Sequence, residues 1–352
     1  MFSLLFLFLA GASAAIENAS HFTPLNTPEA MALQQPLPVP GWLTEFTGLT
    51  EWPGMDPPYI PLDFIDFSAL PWDSDSWVHM QGDCNPEHHG YEVCSFDCWA
   101  CVMPEDVVSC PVLSQTFDDG PSPFTLDLID TIDVPVTFFT IGINVVRFPQ
   151  IYRETADRGH LMASHTWSHK FLPSLSNEEI VAQIEWSVWA MNATYGHIPK
   201  WFRPPYGGID NRVRAILRHF GMQAVLWDFD SLDWALASNQ GPETEEELQQ
   251  RLRNFASDRD HKGLILEHDS FERTVQIGIN LYDVVGDHQM TVSKCMQGLD
   301  YIQHFEDGAD FYRLGSKLGK LGSKLARLGS RRSGSAPRGS AGRGSCLTRF
   351  RW

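Results

Sequence analysis

Between about residues 112 and 312, short apolar runs alternate with stretches of helical period. Val134 to Gly142 reads VPVTFFTIG, a β-branched and aromatic run that predicts a buried strand. Leu161 to Ser164 is a second, shorter apolar run. Ser176 and Glu179 form a capping box ahead of an amphipathic helix predicted over Ile180 to Met191. Asp210 starts a further helix, which Gly221 ends. Ala224 to Trp227 then reads as strand, Thr244 to Phe255 as helix and Gly263 to Leu266 as strand. Strand and helix in alternation predict a parallel α/β fold, either an open sheet or a barrel.

The flanks have other textures. Phe2 to Leu9 is an apolar run followed by Ala12-Ser13-Ala14, a small-x-small cleavage pattern, so residues 1–14 read as a secretory signal peptide. About 14 apolar and small residues are too few to cross a bilayer, and no transmembrane segment is expected in the mature, extracellular chain. Residues 15–80 are rich in Pro and Trp and hold no sustained period; Pro36, Pro38, Pro40, Pro53, Pro57, Pro58 and Pro61 interrupt any long element. This stretch is expected to be an extended arm wrapping the body, or a propeptide. After Tyr312 the pattern fails. Leu314, Leu318, Leu321, Leu325 and Leu328 are each preceded by Arg or Lys, a spacing a basic surface helix would use. Gly315, Gly319, Gly322 and Gly329 would each cost that helix about 1 kcal/mol. Residues 313–352 therefore read as a basic low-complexity tail; a coding segment read in a shifted frame would give a similar stretch.

Five of the seven cysteines (Cys84, Cys94, Cys98, Cys101 and Cys110) fall in a lead-in over 81–110, with Cys295 and Cys346 far downstream. In a secreted chain they read as disulfides; the alternative is a zinc site using Cys98-x-x-Cys101. Setting Cys346 aside leaves an even number. Asn18-Ala19-Ser20 and Asn192-Ala193-Thr194 are N-glycosylation sequons. The formal charge is −18, but the 313–352 tail holds 11 basic residues and no acid. Residues 1–312 thus carry 15 basic against 44 acidic residues, or −29. Such a body repels nucleic acid and attracts polycations.

Five short motifs near the ends of predicted strands carry candidate chemistry: Thr116 to Ser122 (TFDDGPS), His165 to His169 (HTWSH), Arg203 to Gly207 (RPPYG), Asp230 to Trp234 (DSLDW) and Glu267-His268-Asp269. Successive gaps of 46, 34, 30 and 35 residues each suit one strand plus one helix, as in a ring of parallel strands with one catalytic rim. Asp118 and Asp119 repel unless a cation or proton holds them together, although Asp-Gly is also an ordinary turn. His165 and His169, at i and i+4 on one helical face, could bind a metal as neutral imidazoles. Alone, that spacing also suits a surface or structural pair. With Asp119 they make a two-His-one-carboxylate set that leaves positions open for water and substrate. Arg203 could keep a carboxylate ionised to act as a base, and Asp233 with His268 could form a carboxylate–imidazole pair that keeps an acid protonated. Trp167 and Trp234 could offer faces for sugar stacking or could pack in the core.

In this order the motifs resemble the polysaccharide deacetylases of the NodB-homology type (carbohydrate esterase family 4), most closely those of fungi that act on chitin. The resemblance spans roughly residues 110–300, and 111–312 is read as the NodB-like domain. It implies a deformed (β/α) barrel of about seven units and a monomer. It implies that Asp119, His165 and His169 bind a divalent metal, zinc or cobalt, and that Asp118 is a general base held by Arg203. Tyr206 would offer its backbone N–H to the oxyanion, and His268, tuned by Asp233, would be the acid. Trp234 would line the subsite of the acetyl methyl, and Cys110 would pair with Cys295. Lys170 departs from the family, which often has Pro after the second His. The activity implied is removal of N-acetyl groups from chitin, a β-1,4-linked N-acetylglucosamine polymer. Acetylated xylan or peptidoglycan is the alternative substrate, and non-catalytic wall binding the alternative role.

Overall fold

The computed structural model describes residues 36–70, 78–85, 93–239, 241 and 243–305. The signal peptide, the basic tail, the Asn18 sequon and Cys346 lie outside those residues.

Among the described residues nine strands run in chain order: β1 (Ser114–Asp118), β2 (Thr137–Thr140), β3 (Leu161–Ser164), β4 (His197–Pro199), β5 (Trp201–Phe202), β6 (Gln223–Ala224), β7 (Phe229–Asp230), β8 (Leu264–His268) and β9 (Tyr301–His304). Seven form one parallel sheet in the order β6-β5-β3-β2-β1-β8-β7, curled into a deformed barrel; β4 and β9 form a separate antiparallel pair. β1, an interior strand between β2 and β8, is buried at every position. Its register sets Asp118 beside Phe139 on β2 and beside His268 on β8. Parallel strands all point the same way, so their C-terminal ends, where the five motifs fall, share one rim.

Helix boundaries follow local chemistry. Ser176 and Glu179 cap the helix Asn177–Tyr195 reciprocally, and Gly196 (φ 71°) ends it in the left-handed conformation. Thr244 and Glu247 cap Glu245–Asp258 in the same way, and the Asp210 carboxylate caps Asn211–His219 through Val213 N–H. The strand predicted over 224–227 is shorter, at Gln223–Ala224, and continues as a single bridge between Val225 and Val107.

Helix Asn177–Tyr195 also differs from its sequence reading. It is buried along most of its length, where a half-buried amphipathic helix was expected. The cause is the segment 36–70, which lies across it: Pro58 O accepts from Trp186 Nε1 (2.8 Å) and Ile60 N–H donates to Glu185 (2.8 Å). Phe46 meets the Trp189 ring edge-on at 5.8 Å. The same burial takes in the Asn192 side chain, 3% exposed, so this sequon is closed to a glycan in the folded protein.

Three disulfides join Cys84 to Cys98, Cys94 to Cys101, and Cys110 to Cys295. Cys98 and Cys101 are thus tied to different partners, which removes the zinc alternative for that pair. The third bond joins chain positions 185 residues apart, ahead of β1 and ahead of β9.

Candidate active site

Asp118 ends β1 with its side chain in the rim. Arg203, just past β5, donates from Nη1 to Asp118 Oδ1 at 2.8 Å, and both residues are buried. The guanidinium is fixed on every side. Nη1 also donates to Thr116 Oγ1 (2.6 Å), Nη2 to Leu226 O (3.1 Å) and Nε to Val225 O (3.3 Å), while the Phe139 ring lies 4.1 Å beneath it. A cation so placed gives the buried carboxylate a charge-assisted hydrogen bond and fixes its orientation.

Asp119 is turned away by a left-handed backbone (φ 77°). Its Oδ1 lies 3.2 Å from His169 Nε2 and 3.5 Å from His165 Nε2. Their ligand atoms and that of Asp119 all lie within 4.8 Å of one another, and all three residues are buried. The two histidines do not sit on a helical face as the spacing suggested. They flank a tight loop after β3, in which Thr166 (φ 69°) and His169 (φ 60°) are both left-handed and Thr166 Oγ1 accepts from His169 N–H (2.9 Å). Such conformations cost about 1–3 kcal/mol each and cluster at functional sites. The fold of the loop, and not helical periodicity, brings the two rings within 4.9 Å.

This donor set fits a divalent cation. His165 Nδ1 lies 2.7 Å from the Arg203 carbonyl, which can only accept, so Nδ1 carries the hydrogen and Nε2 the lone pair. That lone pair faces Asp119 Oδ1 and, at 3.8 Å, Asp118 Oδ2. Acceptors face acceptors, an arrangement that a cation between them relieves. Burial pushes His165 down to about 4, keeping it in its neutral, ligating form. Burial, with Asp118 adding to it against the pull of His268, raises the Asp119 carboxyl to about 7; a bound cation would restore its charge.

Opposite stands His268. Asp233 Oδ1 accepts from its Nδ1 at 2.7 Å, and Asp233 Oδ2 from its backbone N–H at 2.8 Å. Burial works against the charged ring, but Asp233, Asp119 and Asp118 outweigh it and push His268 up to about 10. The ring is therefore a proton donor at neutral pH.

A family model described as polysaccharide deacetylase matches residues 106–225. Chitin deacetylase 2 of Saccharomyces cerevisiae is 56% identical over 268 residues, covering 76% of this chain and 84% of the yeast protein. Chitin deacetylase 1 of the same yeast is 53% identical over 269 residues, covering 76% and 87%. The chain belongs to the polysaccharide deacetylase family. Among solved structures, the chitin deacetylase from Colletotrichum lindemuthianum is 28% identical, with a TM-score of 0.49 over 55% of this chain and 92% of that one.

The remaining deacetylase residues divide into two groups. Tyr206 is left-handed (φ 60°) in the turn Pro205–Gly207, and its ring lies 4.6 Å from the His169 ring. Trp234, on the short helix after Asp233, is 40% exposed and free to meet a ligand. Trp167 is a correction: it is fully buried, donates from Nε1 to Gly54 O (2.8 Å) and stacks on Trp52 at 5.9 Å. No face of its ring is open to a sugar.

Asp269 and Thr116 were quoted within the sequence motifs without a role. Thr116 fixes Arg203, as above. Asp269 accepts from Thr125 Oγ1 (2.6 Å) and fills the space where a Gly120 side chain would be, so the turn after Asp119 admits only glycine. Burial raises the Asp269 carboxyl to about 7. Both residues stand in the motifs; their partners, Thr125 and Arg203, come from distant segments that only the fold brings together.

Proposed function

We propose that this protein hydrolyses the N-acetyl groups of chitin, releasing acetate and leaving glucosamine, outside the cell or in the cell wall. The observation that carries the reading is identity of more than half to two yeast chitin deacetylases across most of the chain, together with the buried Asp119–His165–His169 set. The three disulfides support an oxidising compartment. Among the described residues no helix is long and apolar enough to cross a membrane.

In this reading Asp119, His165 and His169 hold a divalent metal, zinc or cobalt. When bound, such a cation acidifies a water and polarises the amide carbonyl. Asp118, held in place by Arg203, takes the proton as water attacks the carbonyl carbon. The Tyr206 backbone N–H donates to the oxygen as it gains charge. His268, kept protonated by Asp233, delivers a proton to the departing amine, a poor leaving group otherwise. Trp234 lines the acetyl subsite. A body of charge −29 attracts the polycationic product and its partly deacetylated precursors.

The test is acetate release from chitin oligosaccharides and from acetylxylan, before and after chelation and after restoring zinc or cobalt. Metal-dependent release from the chitin oligomers supports the proposal. Release from acetylxylan alone reassigns the substrate, and release that survives chelation and dialysis removes the metal.

A further inference from the structure

The loop that carries His165 and His169 is held from outside by a segment distant in the chain. Four consecutive contacts join residues 52–56 to residues 167–170. Trp52 stacks on Trp167; Gly54 O accepts from Trp167 Nε1 (2.8 Å); Met55 O accepts from Ser168 Oγ (2.6 Å); Asp56 pairs with Lys170 (3.0 Å). The last is a surface ion pair, worth under about 1 kcal/mol, but it gives Lys170 a partner where the family often has Pro. Gln183 closes the arrangement from the helix side, accepting from Ser168 N–H (3.0 Å) and donating to Ser168 Oγ (2.8 Å).

Trp167 and Ser168 lie, with Thr166, between the two histidines and flank neither a strand nor a helix. The loop contains two left-handed non-glycine residues, Thr166 and His169, so it keeps its shape only if its surroundings over-determine it. From below, Gly142 N–H and Ile143 N–H hold the carbonyls of Thr166 and Trp167 (2.9 and 3.0 Å), with the Trp167 ring filling the space beside Gly142. From above, among the described residues, Trp167 Nε1 donates to Gly54 O and Ser168 Oγ to Met55 O, with Gln183 as a further partner of Ser168.

We infer that Trp52–Asp56 is a positioning element of the metal site, setting the geometry of His165 and His169 by fixing Trp167 and Ser168 between them. The inference rests on reading Asp119, His165 and His169 as the ligands. It makes part of the Pro- and Trp-rich arm a component of the site, so removal of the arm would weaken metal binding even where the sheet stays folded.

The test measures Zn²⁺ affinity by calorimetric titration of the full chain, with the visible spectrum of the Co²⁺-loaded protein as a second reading of ligand geometry. Trp167→Phe combined with Ser168→Ala removes both bonds to the arm while keeping the ring. Trp186→Phe removes the comparable bond from the same arm to Pro58, away from the loop. The pair is expected to weaken Zn²⁺ binding about tenfold or more and to alter the Co²⁺ spectrum, while Trp186→Phe stays within about threefold. Equal Zn²⁺ affinity in the pair and the parent overturns the inference, as does equal weakening in Trp186→Phe. If the pair does not fold, Ser168→Ala alone decides by the same comparison. If the parent binds no Zn²⁺, the ligand reading fails first, and the inference falls with it.

Discussion

The two sides of the site are built differently. The side that carries His165 and His169 is buried and braced mainly by neutral hydrogen bonds and packed tryptophans: Trp167, Trp186 and Trp52 cluster around its loop. The side that carries Asp233 and His268 is held by charge and is the more open one. Arg251 donates to the carbonyls of Asp230 and Ser231 (2.9 and 3.1 Å) and pairs with Glu243, fixing the loop that presents Asp233, while Trp234 next to it is half-exposed. The contrast matches the work proposed for each side. Ligands need fixed lone pairs in a low-dielectric shell, whereas a proton donor needs a charged partner and access to the leaving group.

The largest expected effect lies on the ligand side. Asp119→Asn leaves two neutral histidines with no anionic ligand, so dialysed protein should lose its metal and its deacetylase activity together; elemental analysis beside the acetate assay checks both. Full metal retention would break the assignment of that side. Next comes Asp233→Asn. Without that carboxylate, burial lowers His268 from about 10, so the high-pH limb of the activity profile should move to lower pH, with turnover reduced about 10²–10⁴-fold. The acid is active while protonated and lost as pH rises through its pKa, which fixes the direction; an unmoved limb would assign the proton to another group.

The smallest effect concerns the bracing alone. Burial raises the Glu185 carboxyl to about 9 where it meets Ile60 N–H. The folded state therefore keeps a proton that the unfolded chain releases near its ordinary value. Stability from this group is complete below about pH 4.5 and declines as pH rises toward 9, by at most about 1.4 kcal/mol per pH unit. Glu185→Gln should flatten that slope in denaturant melts at pH 5, 7 and 9. An unchanged slope would mean that the arm does not bury this carboxyl in solution.

Much of this was legible in the sequence. Apolar runs located β2 and β3, and the Ser176–Glu179 cap fixed a helix start, because these signals are local. The resemblance implied that Arg203 holds Asp118, and the residue types alone suggested that Asp233 and His268 pair. Three features were not legible, each for the same reason: they depend on contacts between distant segments. The i, i+4 spacing of His165 and His169 cannot tell a helix from a loop with left-handed residues. Trp167 reads equally as a sugar-stacking face or a core residue until Gly54 and Trp52 are seen against it. Helix Asn177–Tyr195 reads as half-buried until residues 36–70 cover its outer face.

The central claim is that two adjacent carboxylates do separate work: Asp118 moves the proton and Asp119 holds the metal. Asp118→Asn tests it most directly, with bound zinc and acetate release from chitin oligosaccharides measured on the same preparation. The account predicts near-full zinc occupancy with turnover reduced about 10²–10⁴-fold. Loss of zinc in Asp118→Asn, or near-normal turnover with zinc bound, would contradict it.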